Sequence, residues 1–167
     1  MASIKGIELK NVKDFRGHEG EDLVQGDVYY KGKKVGYYSQ DAWGGMDIFD
    51  LDWQNLPKEL MQEIKDITDN YIGGKLFKKL DDLYDKTYKI SFVHPEHKGY
   101  EYLFEDLLEL LDHEKLYEKY SKTWGVKTIY IVYKNLFERQ ICGAILQPQY
   151  KDKTYFKYDS LKNFVID

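Results

Sequence analysis

Apolar and polar positions alternate through the first third of the chain. Ile7, Leu9 and, after one further polar step, Val12 mark a half-buried strand. The polar break "RGHEGEDL" follows it, and "DLVQGDVYY" reads as a second strand. Lys31-Gly32 is placed for a tight turn, and "KKVGYYS" returns as a third strand. "DAWGG" forms the next corner and "MDIFDL" a short fourth strand. Residues 1–52 are therefore expected to form an antiparallel meander. Alternation places Tyr29 and Tyr30 on opposite faces, and likewise Tyr37 and Tyr38, so one tyrosine of each pair is expected outside the core.

The period then changes. Leu60, Ile64, Ile67 and Tyr71 recur at helical spacing, with Pro57 in the first turn, Asn55 as a cap and Gly73-Gly74 as the stop. Leu76, Leu80, Leu83 and Tyr84 suggest a second helix, and "YKISFV" a strand broken by Pro95. A third helix is expected from Tyr100, with Leu103, Leu107, Leu110 and Leu111 inward, a break near His113 and an end at Gly125. "VKTIYIVYKN" is the strongest strand signal, and "RQICGAIL" is its hairpin partner across "NLFE". The tail "KTYFKYDSLKNFVID" fits either a strand or a short helix. Strands first, helices in the middle and strands last predict a single α+β domain over 1–167. It divides into a meander (1–52), a helical region (55–125) and a C-terminal hairpin and tail (126–167), with one antiparallel sheet packed against about three central helices.

Composition narrows the class. With 167 residues, 43% of them hydrophobic, and three prolines, the chain can build a core. No run approaches the roughly 20 apolar residues needed to span a bilayer. "MASIKGIELK" lacks a signal peptide's apolar run, and the lone Cys142 has no internal disulfide partner. A cytoplasmic protein without membrane contact is expected. Only two of the 25 basic residues are arginine, and 16 residues are tyrosine, which fits an AT-rich genome.

The net charge of −4 conceals an asymmetry. Residues 115–167 hold ten Lys/Arg and five Asp/Glu, a net of +5, while residues 1–114 hold 15 and 24, a net of −9. Such a polarised distribution steers association with charged partners. Between Lys98 and Lys115 the third helix has no cation, and Glu101, Glu105, Glu109 and Asp112 share one face at i, i+4, i+8 and i+11. Asp41, Asp47, Asp50 and Asp52 cluster around the "WGG" corner beside Trp43. These acidic residues and Trp43 are the candidate contacts to a basic protein partner; a solvated face is the plain alternative. Lys115, Lys119, Lys122 and Lys127, with nearby tyrosines, are candidate contacts to nucleic acid.

Signals for chemistry are weaker. His94 and His97 frame "HPEH", but Pro95 opposes the single helical turn on which two histidines share a metal, and His18, His113 or Cys142 would reach them only through folding. His18 and Glu19 are adjacent and so point apart in an extended segment. Cys142 sits in an apolar strand pattern, as a packed thiol does. No phosphate-binding glycine motif is present. No catalytic residue, metal or cofactor is assigned, and a small metal-dependent hydrolase or nuclease stands as an alternative.

The segment "FRGHEGEDLVQGDVYYKGKKVGYYSQDAWGGMD" resembles the opening shared by small proteins of phages and mobile elements in low-GC bacteria. Phe15, Gly17, Glu19, Gly20, Gly32, Lys33, Lys34, Val35, Asp41, Gly44 and Gly45 carry the likeness, over residues 15–46. Some proteins with this opening are anti-CRISPR inhibitors of type II (Cas9) systems. The resemblance implies a protein that binds a Cas9 effector or its guide-RNA complex, in a host bacterial cell, and blocks nucleic-acid loading or cleavage without chemistry of its own. It also implies that the shared glycines shape a scaffold, leaving function to the parts that differ.

Overall fold

A computed structural model describes residues 1–91 and 96–167. The meander forms as its alternation predicts: β1 (Ser3–Ile4), β2 (Ile7–Arg16), β3 (Asp22–Tyr30), β4 (Lys33–Ser39) and β5 (Ile48–Leu51). Lys31 and Gly32, both at positive φ, make the two-residue turn between β3 and β4. Tyr30 and Tyr38 point into the core, while Tyr29 is half-buried and Tyr37 exposed, as the period of two requires. A bulge at Asn11 interrupts the β2–β3 register, and the Asn11 side chain donates to Asp27 across it.

Three helices follow: α1 (Lys58–Asp69), α2 (Lys78–Tyr88) and α3 (Tyr100–Trp124). Three details differ from the sequence expectation. Asn55 does not cap α1; its amide donates to the Asp52 carboxylate in the preceding turn, and Pro57 occupies the cap position with no side-chain bond. α1 ends at Asp69, before the glycine pair, so Tyr71 packs from the connecting segment. α3 runs unbroken through His113 for 25 residues and closes on Gly125 in the left-handed conformation. The expected strand "YKISFV" begins inside α2, whose last residue is Tyr88; Phe92, Val93, His94 and Pro95 lie outside the described residues.

β6 (Ile129–Asn135) and β7 (Glu138–Gly143) form the expected hairpin, with Cys142 buried in β7. The tail is both things its pattern allowed: a strand β8 (Thr154–Tyr158), a short 3-10 turn over Leu161–Phe164, and a two-residue strand β9 (Val165–Ile166).

The fold is α+β, with its strands in two sheets where one was expected. The larger has the order β5-β4-β3-β2-β1-β9, with β9 parallel to β1 and the other neighbours antiparallel. The smaller has the order β7-β6-β8 and is antiparallel. α3 packs against both. Phe104 stacks on Tyr38 of β4 and meets Phe49 of β5, while His113 lies among Tyr133 of β6 and Phe156 and Tyr158 of β8. A helix covered on two sides needs buried residues around most of its circumference, which is why α3 buries Asp106, His113 and Glu114 besides its leucines. None of these helices is long and apolar enough to cross a membrane.

Candidate functional site

The acidic residues of α3 divide by what lies opposite them. Glu101, at its start, accepts the Asp47 backbone N–H at 3.0 Å, and the Tyr100 hydroxyl donates to the Asp47 carbonyl at 2.5 Å. The Asp47 carboxylate accepts the buried Tyr38 hydroxyl at 2.5 Å. Both residues thus pin the loop before β5 onto the helix. Burial, and then the Asp47 bond, raises the Tyr38 phenol well above its ordinary range. Asp41 is equally committed: its carboxylate accepts from the N–H groups of Trp43 and Gly45 and shapes the corner.

Two turns on, Glu109 and His113 belong to a buried network. His113 is fully buried, with Nδ1 2.7 Å from the Tyr158 hydroxyl and Nε2 2.7 Å from the Tyr133 hydroxyl. Tyr133 donates its one proton to Glu109 at 2.9 Å, so Nε2 must be the donor toward Tyr133. In the neutral ring, Nδ1 then accepts from Tyr158. The same Nε2–H lies 3.2 Å from the Glu109 carboxylate and is shared with it, and this contact, opposed by burial, sets Glu109 below the usual carboxylate range. Asp112 pairs with Arg139 on β7. Among the described residues, Glu109, Asp112 and His113 are the trio whose ligand atoms lie close enough to share a metal ion, within 4.8 Å. Their ligand atoms already serve the two tyrosines and Arg139, which makes the trio the polar seam joining α3 to the small sheet.

Glu105 is different. It is exposed, and it stands at a cleft of about 580 Å³ between α2 and α3. The walls are Asp81, Asp82, Tyr84 and Asp85 of α2 and Tyr102, Glu105 and Asp106 of α3; Gly73-Gly74, Glu96 and His97 close one end. That end is held by backbone bonds, from Gly73 N–H to the His97 carbonyl at 2.8 Å and from Gly99 N–H to the Tyr71 carbonyl at 3.0 Å. Six carboxylates and two lysines, Lys75 and Lys78, line the cleft, and Lys78 is paired with Asp82. Partial burial, and after it the carboxylates of Asp81, Asp47, Glu109 and Glu101, hold Glu105 above the usual carboxylate range. Asp106, buried behind it, is pushed up to about 6 by burial, against the hydrogen bond it accepts from Tyr71 at 2.5 Å.

The acidic stripe read from the sequence is therefore one exposed carboxylate, Glu105, flanked by three spent on internal bonds. Sequence reasoning missed the contribution of α2, whose Asp81, Asp82 and Asp85 sit across the cleft. Their shared helical face was the available signal. Trp43 is 74% exposed and stacks on His18 at 3.9 Å, and Met46 and Trp53 are 71% and 72% exposed nearby in sequence. His18 thus partners an aromatic ring, as does His97, which stacks on Tyr102. His94 lies outside the described residues.

Lys115, Lys119, Lys122 and Lys127 are all exposed. The first three follow at i, i+4 and i+7 along α3, with the Lys119 ammonium 5.2 Å from the Tyr120 ring and Tyr120 packed on the exposed Trp124. Comparison with protein-family models, with curated proteins and with solved structures found no match.

Proposed function

We propose that the chain acts by binding, as a phage or mobile-element inhibitor of a basic, nucleic-acid-handling host effector of the Cas9 type. The acidic cleft between α2 and α3 carries this reading. Six carboxylates line it against two lysines, and partial burial, with the Asp81 carboxylate next, raises the proton affinity of Glu105 at its edge, as a concentrated negative field does. The guide and target channels of such effectors are positively charged. A basic groove docking there would relieve the crowding at Glu105 while covering the neighbouring apolar side chains. The resemblance over residues 15–46 supports the same class.

The test is binding and DNA cleavage with type II effectors, with and without guide RNA. Charge reversal belongs at Glu105 and Glu96, because Glu109 supports the core. Glu105→Lys combined with Glu96→Lys should weaken binding about tenfold at low salt and flatten its salt dependence. Unchanged affinity would remove the acidic cleft from the interface, and no binding to any effector would end the proposal.

A second reading has its own observation. Lys119 lies over the Tyr120 ring, itself packed on Trp124, with Lys115 and Lys122 at i−4 and i+3 along α3, and single-stranded nucleic-acid sites combine cations and rings in this way. An accessory role in nucleic-acid binding would show as salt-sensitive binding of the isolated protein to RNA, lost in Lys119→Glu.

A further inference from the structure

The large sheet has an open edge at β5. β5 lies close on β4 because residue 36 is glycine; a Cβ there would stand 2.2 Å from the Asp50 carbonyl oxygen. Asp50 is paired with Tyr37, and the Asp52 N–H donates to the Val35 carbonyl at 2.9 Å. The groups of residues 50 and 52 therefore face β4, and strand alternation turns those of Phe49 and Leu51 outward. Of the outward groups, the Leu51 carbonyl is taken by the Trp53 N–H; the Phe49 N–H and carbonyl and the Leu51 N–H have no backbone partner among the described residues.

Beside this edge runs a groove of about 570 Å³ between β5 and α1, lined by Met61, Lys65, Thr68 and Asp69 from the helix side and by the exposed Trp53 after β5. The two faces of a strand added here would meet different chemistry. Residues on the inner face would join Phe49, Leu51 and Met61; residues on the outer face would lie beside Asp50, which makes no ion pair with any described residue. From Val35 to Pro57 the chain contains no lysine or arginine and four aspartates.

We infer that β5 is a docking edge for an extended segment of a partner protein, one alternating apolar and basic residues, which adds as a seventh strand. The inference rests on reading the chain as a protein-binding module and gives that partner a second point of contact. Main-chain bonds supply the affinity of such strand addition, and the alternate side chains its specificity. A second copy of this chain is the poorer occupant. Pairing β5 with itself would bring the exposed Asp50 of both copies onto one short ladder, the like-charge arrangement that keeps edges apart.

Amide hydrogen exchange of the labelled full chain tests this, with an alternating Lys-Val heptapeptide and its Glu-Val counterpart, each at millimolar concentration. The Lys-Val peptide should slow exchange at Phe49 and Leu51 about tenfold and the Glu-Val peptide should not. Asp50→Lys, an exposed change that leaves the β4 ladder intact, should reverse the preference. No protection, or equal protection by both peptides, overturns the inference. So does protection without peptide that grows with protein concentration, which would assign the edge to a second copy. Docking of the peptide without binding of any effector would leave this edge standing and the proposed function fallen; effector binding without peptide docking would mean the reverse.

Discussion

Glu105 and Glu109 sit one turn apart on α3 and carry the same side chain, yet their surroundings move their acidities in opposite directions. Glu109 has the His113 ring of its own helix 3.2 Å away and accepts from Tyr133 of the small sheet, and it is held below the ordinary range. Glu105 faces α2, where partial burial, and after it the carboxylate of Asp81, hold it above that range. The same divide separates Asp112, paired with Arg139, from Asp106, buried with only a tyrosine hydroxyl to offset its charge. One stretch of the helix spends its charges on bonds to the small sheet. The other concentrates charge at a cleft at a cost to stability. Net charge and spacing alone do not separate these roles; the donors available on the facing element do.

The comparison can be broken most severely at His113. His113→Ala would orphan the Tyr158 hydroxyl, strip Tyr133 of its donor and leave a void among Phe77, Phe156 and Tyr158, so urea denaturation should show a loss of about 3–5 kcal/mol. A loss under 1 kcal/mol would mean that the seam does not join α3 to the small sheet.

A smaller effect, of opposite sign, belongs to Asp106. Its folded acidity lies at about 6 against an ordinary 3.8, so the folded state binds the proton more tightly than the unfolded chain does. Its protonated form therefore favours folding below pH 3.8, and that advantage is lost as pH rises through 6. Asp106→Asn keeps an oxygen for the Tyr71 hydroxyl and removes the titration. At pH 7 it should stabilise the protein by about 1–2 kcal/mol, after allowing for the weaker bond from Tyr71. Melting curves from pH 4 to 8 should lose the corresponding slope, and an unchanged slope would place the titration elsewhere. Smallest of all, Glu105→Gln should alter stability by no more than about 0.5 kcal/mol, since the exposed side chain supports no core bond. A larger loss would give Glu105 the structural role assigned to Glu109.

The hairpin of β3 and β4 was legible because period-two patterning and a lysine–glycine turn are local signals. Tyr30 and Tyr38 against Tyr29 and Tyr37 followed from the same rule. The ends of α3 were legible too, at Tyr100 and Gly125. The fate of its acidic face was not. Helical spacing shows that Glu101, Glu105, Glu109 and Asp112 share a side, but not what covers that side. The donors to Glu109 and Asp112 arrive on β6 and β7, some 25 residues later, and Tyr158 arrives on β8. The expected break at His113 had a similar source, because a polar residue amid leucines looks like an exit when its buried partners are distant. Division into two sheets was hidden in the tail, where β8 and β9 are separated by one short turn and join different sheets.

That division has a kinetic consequence. β9 completes the large sheet by lying parallel to β1, joining Ser3 to Val165 and Ile4 to Ile166. Closing a loop of that length costs about 4–5 kcal/mol of chain entropy before the short ladder returns anything. The local hairpins can form early, whereas the β1–β9 closure must wait until α3 and both sheets are nearly assembled. The last pairing to form would then also be the first released when the fold begins to open, making the β1–β9 seam the point where unfolding starts.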